Sequence, residues 1–174
     1  MGITINHQYT SELVPVGRYE FIIQSASQDA TPAGSGYIGV AAIIRNDVQQ
    51  NCRNKRIRHQ IWMKKEPNTM DIAFGGYNAA QINALCKAAG IPHDKTYSAL
   101  DELLKDLKGR TFEAELYHDK WNNNVNEKLR DLQSTKVENC THVWSGANTF
   151  EPPPNISIPG EGFVELDVDD DLPF

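Results

Sequence analysis

Between Lys55 and Lys64 the chain alternates strictly. Ile57, His59, Ile61 and Met63 fall on one side, and Arg56, Arg58, Gln60, Trp62 and Lys64 on the other. A period of two belongs to a β-strand with one face toward a core. Here the second face is cationic and carries a tryptophan. A domain built around such a strand needs partner strands, and the sequence supplies them. Tyr19, Phe21 and Ile23 alternate with Glu20, Ile22 and Gln24 between Val16 and Ser27. After the turn residues Asp29, Pro32, Gly34, Ser35 and Gly36, a second β-rich run covers Tyr37 to Arg45.

The period then changes. Asn78-Ala-Ala-Gln81 reads as a capping box, followed by Ile82, Leu85 and Ala89 as the apolar stripe of a short helix that Gly90 and Ile91-Pro92 stop. Ser98 reads as the N-cap of a second helix, with Leu100, Leu103, Leu104 and Leu107 at helical spacing before Gly109. Strand pattern resumes from Thr111 to Lys120, with Phe112, Ala114 and Leu116 inward. Asn122-Asn-Asn124 makes a turn with Trp121 at its tip, and a last strand covers about Asn126 to Val137. Three strands, a helical insert and two strands predict a mainly β fold. The arrangement is that of a five-stranded oligonucleotide/oligosaccharide-binding (OB) barrel with the helices between strands three and four. A small α+β sandwich would give a similar string.

Residues 145–174 differ in kind. They hold five prolines and three glycines, and such a composition buries too little apolar surface to offset its ordering entropy. The expected organisation is a domain over residues 1–144 and a disordered acidic tail over 145–174.

Charge is segregated. The chain has 17 Lys and Arg against 23 Asp and Glu, a formal net charge of −6. Six of the acids lie in residues 161–174, and without them the remaining 17 balance the bases. Residues 45–65 carry seven bases (Arg45, Arg53, Lys55, Arg56, Arg58, Lys64 and Lys65) against the single acid Asp47. No apolar run approaches the roughly 18 residues of a membrane span, and the start of the chain has no signal-peptide pattern. Three separated cysteines, Cys52, Cys86 and Cys140, form neither a disulfide framework nor a metal knuckle. The setting expected is the cytoplasm, with no membrane.

Enzymatic motifs are lacking: no Walker A loop, Gly-x-Gly-x-x-Gly, Gly-x-Ser-x-Gly or His-Glu-x-x-His. Cys140-x-His142 is too short and isolated for a metal site, and His59 on an apolar face reads as a core histidine. No catalytic residue, metal or cofactor is expected. The cationic strand is more informative. Binding single-stranded nucleic acid without sequence preference needs cations along the phosphates and flat rings for the bases. Arg53, Lys55, Arg56, Arg58, Trp62, Lys64 and Lys65 offer both, and alternate strand residues are spaced about 6.6–7 Å, near one nucleotide's stride. Lys120 and Trp121 join them at the hairpin tip, where the barrel's last loop touches ligand. Tyr19, Tyr37 and Tyr117 are weaker candidates. Two other readings stay open: an adaptor domain whose basic strand is incidental, and a binder of single-stranded RNA.

The chain finishes Glu165-Leu-Asp-Val-Asp-Asp-Asp-Leu-Pro-Phe174. Acids leading into an apolar, aromatic dipeptide suit docking, in which a ring fills a small pocket while the aspartates steer the approach. Asp169, Asp170, Asp171, Leu172, Pro173 and Phe174 closely resemble the acidic tip of bacterial single-stranded DNA-binding proteins, which usually has Ile where this chain has Leu172. The body is similar to a family of phage-encoded proteins long catalogued as a domain of unknown function and understood as phage single-stranded DNA-binding proteins. That likeness rests on Gly17-Arg18-Tyr19-Glu20, Ile44-Arg-Asn-Asp47, Leu85-Cys-Lys-Ala-Ala-Gly-Ile-Pro92 and Leu103-Leu-Lys-x-Leu-Lys-Gly109, over about residues 14–138. The resemblance implies an OB barrel serving phage DNA replication or recombination in a bacterial host. The tip would then recruit replication, recombination and repair proteins. Assembly into a homo-oligomer is compatible with it, although nothing in the sequence shows an interface.

Overall fold

The computed structural model describes residues 3–4 and 13–144. The chain divides into two units, Met1–Cys140 and Thr141–Phe174. The acidic residues Asp169 to Phe174 lie outside the described residues. In the second unit, His142 and Trp144 meet edge to face with ring centroids 4.9 Å apart.

Among the described residues the first unit is mainly β, a five-stranded antiparallel sheet with three short helices. The elements run β1 (Gly17–Ala30), β2 (Gly36–Ile44), β3 (Arg56–Trp62), α1 (Thr69–Ala73), α2 (Ala79–Ala88), α3 (Leu100–Leu107), β4 (Thr111–Trp121) and β5 (Asn124–Gln133). The order across the sheet is β3-β2-β1-β4-β5. β1 holds it together by serving two neighbours with its two halves. Gly17 to Ile22 pair with Leu116 to Thr111 of β4. Phe21 to Ala30 pair with Ile44 to Gly36 of β2. An irregularity between Ile23 and Ser25 falls where β1 passes from one partner to the other, as expected where a bulge bends a strand and increases its twist. The outer strands β3 and β5 approach one another. No ladder joins them among the described residues, so the sheet is not closed into a barrel.

The alternation expected of β3 holds over its length: Ile57 and Ile61 are buried, and Arg56, Arg58 and Trp62 are exposed. Met63, expected on the core face, is instead exposed. The strand has ended: the Met63 amide donates to the Gly36 carbonyl at 3.0 Å, and Met63 forms an isolated bridge to Tyr77. β1 also departs from simple alternation, because Glu20 and Ile22 are buried together with Tyr19, Phe21 and Ile23. Phe21 stacks on Phe112 at 5.4 Å in the middle of the core. Ile82, Leu85 and Ala88 of α2 and Leu103, Leu104 and Leu107 of α3 belong to the same buried cluster.

Asn78 caps α2 as expected, its side chain accepting from the Gln81 amide. For α3 the N-cap is Ala99 rather than Ser98, with no side-chain cap. The Ser98 amide donates to the Glu102 carboxylate instead. Helix α1 was not expected from the sequence. Its Asn68 and Asp71 form a reciprocal capping box, and the other Asp71 oxygen accepts from the Ala79 amide at 2.9 Å, so one carboxylate serves the starts of two helices. β5 begins at Asn124, earlier than expected, because the turn is the two-residue pair Asn122-Asn123. Both have positive φ (49° and 65°), the geometry of a tight hairpin whose twist matches its strands. β5 also ends sooner, at Gln133 rather than Val137.

Candidate nucleic-acid interface

The sheet order places the two outer strands around one groove of about 840 Å³. β3 contributes Arg56, Arg58, Gln60 and Trp62 to its wall, β4 contributes Tyr117, Asp119 and Trp121, and β5 contributes Asn126 to Leu129. Trp62 and Trp121 are 40% and 66% exposed, so both indoles keep free faces. Large rings left open to water along a concave wall are unusual, since their burial is worth more than almost any other side chain's. Tyr37 of β2 sits beside Trp62, ring centroids 4.9 Å apart. Tyr117 lies under the Arg130 guanidinium, 4.4 Å from its ring centre. That cation is itself bonded to Glu115 at 3.1 Å. Tyr19, by contrast, is a core residue whose hydroxyl donates to the Pro15 carbonyl.

Charge in the groove is less lopsided than the sequence suggests. Lys128 is paired with Asp119 at 3.0 Å, and Glu127 accepts from the Val14 backbone amide. His118 holds the Val14 carbonyl at 2.7 Å. The segment before β1 is thereby tied to the β4–β5 hairpin. Arg56 and Arg58 are the exposed arginines on the groove wall. His59 also reaches the groove, half-buried and next to Arg58 in sequence. Desolvation lowers its pKa to about 4, so at neutral pH it is an uncharged ring.

Of the nine candidate DNA contacts, four come together here: Arg56, Arg58, Trp62 and Trp121. The other five do not line the groove. Arg53 and Lys55 are exposed on the loop between β2 and β3, which is folded tightly back by left-handed Cys52 and Asn54 (φ 58° and 73°). Lys64 turns to the buried Asp71, 2.9 Å away, and works as a clamp on the helical insert. Lys65 is exposed past the end of β3. Lys120 precedes Trp121 in the same strand, so the pleat sends it to the opposite face. Gln60, Asp119 and Lys128 line the groove without having been expected from the sequence. A period-two count back from Trp121 through Asp119 to Tyr117 would have found the β4 wall.

Arg45, counted with the basic run, is wholly buried. Its guanidinium donates two bonds to Asp47 (2.8 and 2.6 Å), one to Thr135 Oγ1 (3.0 Å) and one to the Val137 carbonyl (2.8 Å), with Glu20 at 3.6 Å. It pins the segment after β5 to the ends of β1 and β2 and leaves nothing for a ligand.

Among the described residues no group of three or more His, Cys, Asp and Glu side chains could hold a metal ion. No helix among them is long and apolar enough to cross a membrane. No curated protein matches the chain. Residues 4–145, most of its length, match one family, and by that match the chain belongs to the family described as "Protein of unknown function (DUF669)".

Proposed function

We propose that this protein binds single-stranded DNA without catalysis and largely without sequence preference, in phage DNA replication or recombination. The observation that carries the reading is the convergence of Trp62 of β3 and Trp121 of β4, strands on opposite sides of β1 in the sheet order, on one groove with Arg56 and Arg58. Unpaired bases stack on indoles, and phosphates pair with guanidiniums; duplex DNA offers no free base faces. The sheet order and the approach of β3 to β5 support an OB-type arrangement, in which these two strands lie side by side. The acidic segment Asp169 to Phe174 would recruit replication, recombination and repair proteins, a role that rests on its sequence alone.

The test is a tryptophan-fluorescence titration with poly-thymidine at low and high salt, with duplex DNA as control. The expected result is quenching by the single strand only, weakening as salt rises because phosphate contacts release counterions. Absence of binding to the single strand would overturn the reading and leave the adaptor in its place. An equal response to the matching ribo-oligomer would widen the ligand to single-stranded RNA, since stacking and phosphate contacts do not read the sugar.

A further inference from the structure

On the side of β3 away from the groove, the sheet carries a second, shallow trough of about 150 Å³. Its floor is made of small residues in register on β1 and β2, flanked by β3. Ser25 pairs with Ala41 and Ala41 with Arg58, while Ser27 pairs with Gly39 and Gly39 with Gln60. One end is closed by an aromatic pair. Tyr37 lies opposite Trp62 in the ladder, and its hydroxyl donates to Asp29 at 3.3 Å. A Cβ on Gly39 would meet the edge of the Tyr37 ring at 3.4 Å, so the ring leans over the glycine and rests between it and Trp62. A ring held on three sides has already lost its rotamer freedom, which lowers the ordering cost of a ligand that packs against its edge.

The two depressions are not separate. Arg56, Arg58 and Gln60 line both of them, so β3 forms a low cationic ridge between groove and trough. A chain of phosphates leaving the groove meets these arginines first, and beyond them a floor with no side chain longer than serine at Ser25, Ser27, Gly39 and Ala41. Neighbouring strands are about 4.8 Å apart, so crossing from β3 to β1 covers about 10 Å, room for one to two nucleotides.

We propose that the bound single strand continues over β3 into this trough, which forms a second nucleotide subsite with Arg56 and Arg58 at the crossing and Tyr37 closing its end. The inference rests on the single-strand reading of the groove and adds a ligand path and a set of residues to it. The trough then takes only the part of a ligand too long for the groove. A substitution inside it acts on long oligomers and spares short ones.

The experiment uses the full chain and Ser27→Glu, an exposed strand position whose new carboxylate would face the incoming phosphates. Binding is measured for thymidine oligomers of about four and about ten nucleotides, within the range one OB-type module covers. Ser27→Glu is expected to bind the longer oligomer about tenfold more weakly, because its carboxylate repels the phosphates, and to leave the shorter one unchanged. Ser27→Gln, which matches the bulk without the charge, recovers most of that affinity. Equal affinity of wild type and Ser27→Glu at both lengths, or an equal weakening at both, overturns the second subsite while leaving the groove in place. If the wild type itself binds neither oligomer, the single-strand reading falls and the subsite with it.

Discussion

Arg45 and Arg58 lie on the same basic stretch of sequence, one just past the end of β2 and the other in the middle of β3. Arg45 is wholly buried, with Asp47, Thr135, Val137 and Glu20 around it. Arg58 is exposed on a groove wall and enters no ion pair among the described residues. At the far end of the stretch Lys64 is spent on Asp71. A run of bases is therefore not one patch. Arg45 and Lys64 hold the fold together, and Arg56 and Arg58 face the groove. The difference follows from desolvation, because a buried cation must be matched by acceptors, whereas an exposed one keeps its charge available to a polyanion.

The largest effect should come from breaking the buried end. Arg45→Met removes the cation and strands Glu20 and Asp47, at a cost of about 3–5 kcal/mol. Urea unfolding with an unchanged m-value would show it as a lower midpoint. A shift worth less than about 1 kcal/mol would mean that this network is better hydrated than its burial indicates. The DNA affinity of the folded variant should not move.

The exposed middle should behave in the opposite way. Trp62→Ala and Trp121→Ala should each weaken single-strand binding by about 1–3 kcal/mol with little change in stability. If only one of them does, the stacking path runs along one wall. Arg56→Ala combined with Arg58→Ala should lower the salt dependence of binding by about 0.7 in log–log slope for each phosphate that the arginines neutralise. An unaltered slope would move the phosphate path off β3.

The effect confined to a narrow window is one of pH. His59 is expected to titrate near 6.5 when unfolded and about 4 when folded, because burial disfavours its charged form. Between those values the unfolded chain binds more protons, so stability should fall as pH drops from about 6.5 toward 4. His59→Gln should flatten that part of the profile, as read from urea midpoints across the range. A profile identical to wild type would show that His59 is hydrated in the folded protein. Asp71, held down to about 2 by Lys64 and the amides of Ala79 and Asn68, contributes stability that is lost only at more acidic pH.

Local pattern was enough for much of the framework. The alternation of β3, the inward set Phe112, Ala114 and Leu116 and the Asn78 cap depend on near neighbours, and the structure has them where the sequence puts them; the asparagine turn of the last hairpin is present too, one residue shorter than expected. Helix α1 was also written locally, in Asn68 and Asp71. Five residues with exposed Met70 and Ile72 make no apolar stripe, so the cap had no periodicity to announce it. Ser98 shows the converse: a good capping residue one place too early, where the chain offered its amide rather than its hydroxyl.

The sequence by itself determined which faces of the strands are apolar and which are cationic or aromatic, because side-chain direction in a strand is set by parity alone. Tertiary structure decided which of those groups meet. Trp121 reaches Trp62's groove because β1 divides its length between two partners and swings β5 toward β3. Arg45 is withdrawn from the surface because its acceptors at Thr135 and Val137 return to it from the other end of the domain. Contacts between residues so far apart are set by how the sheet twists and packs, and no short window of sequence records that.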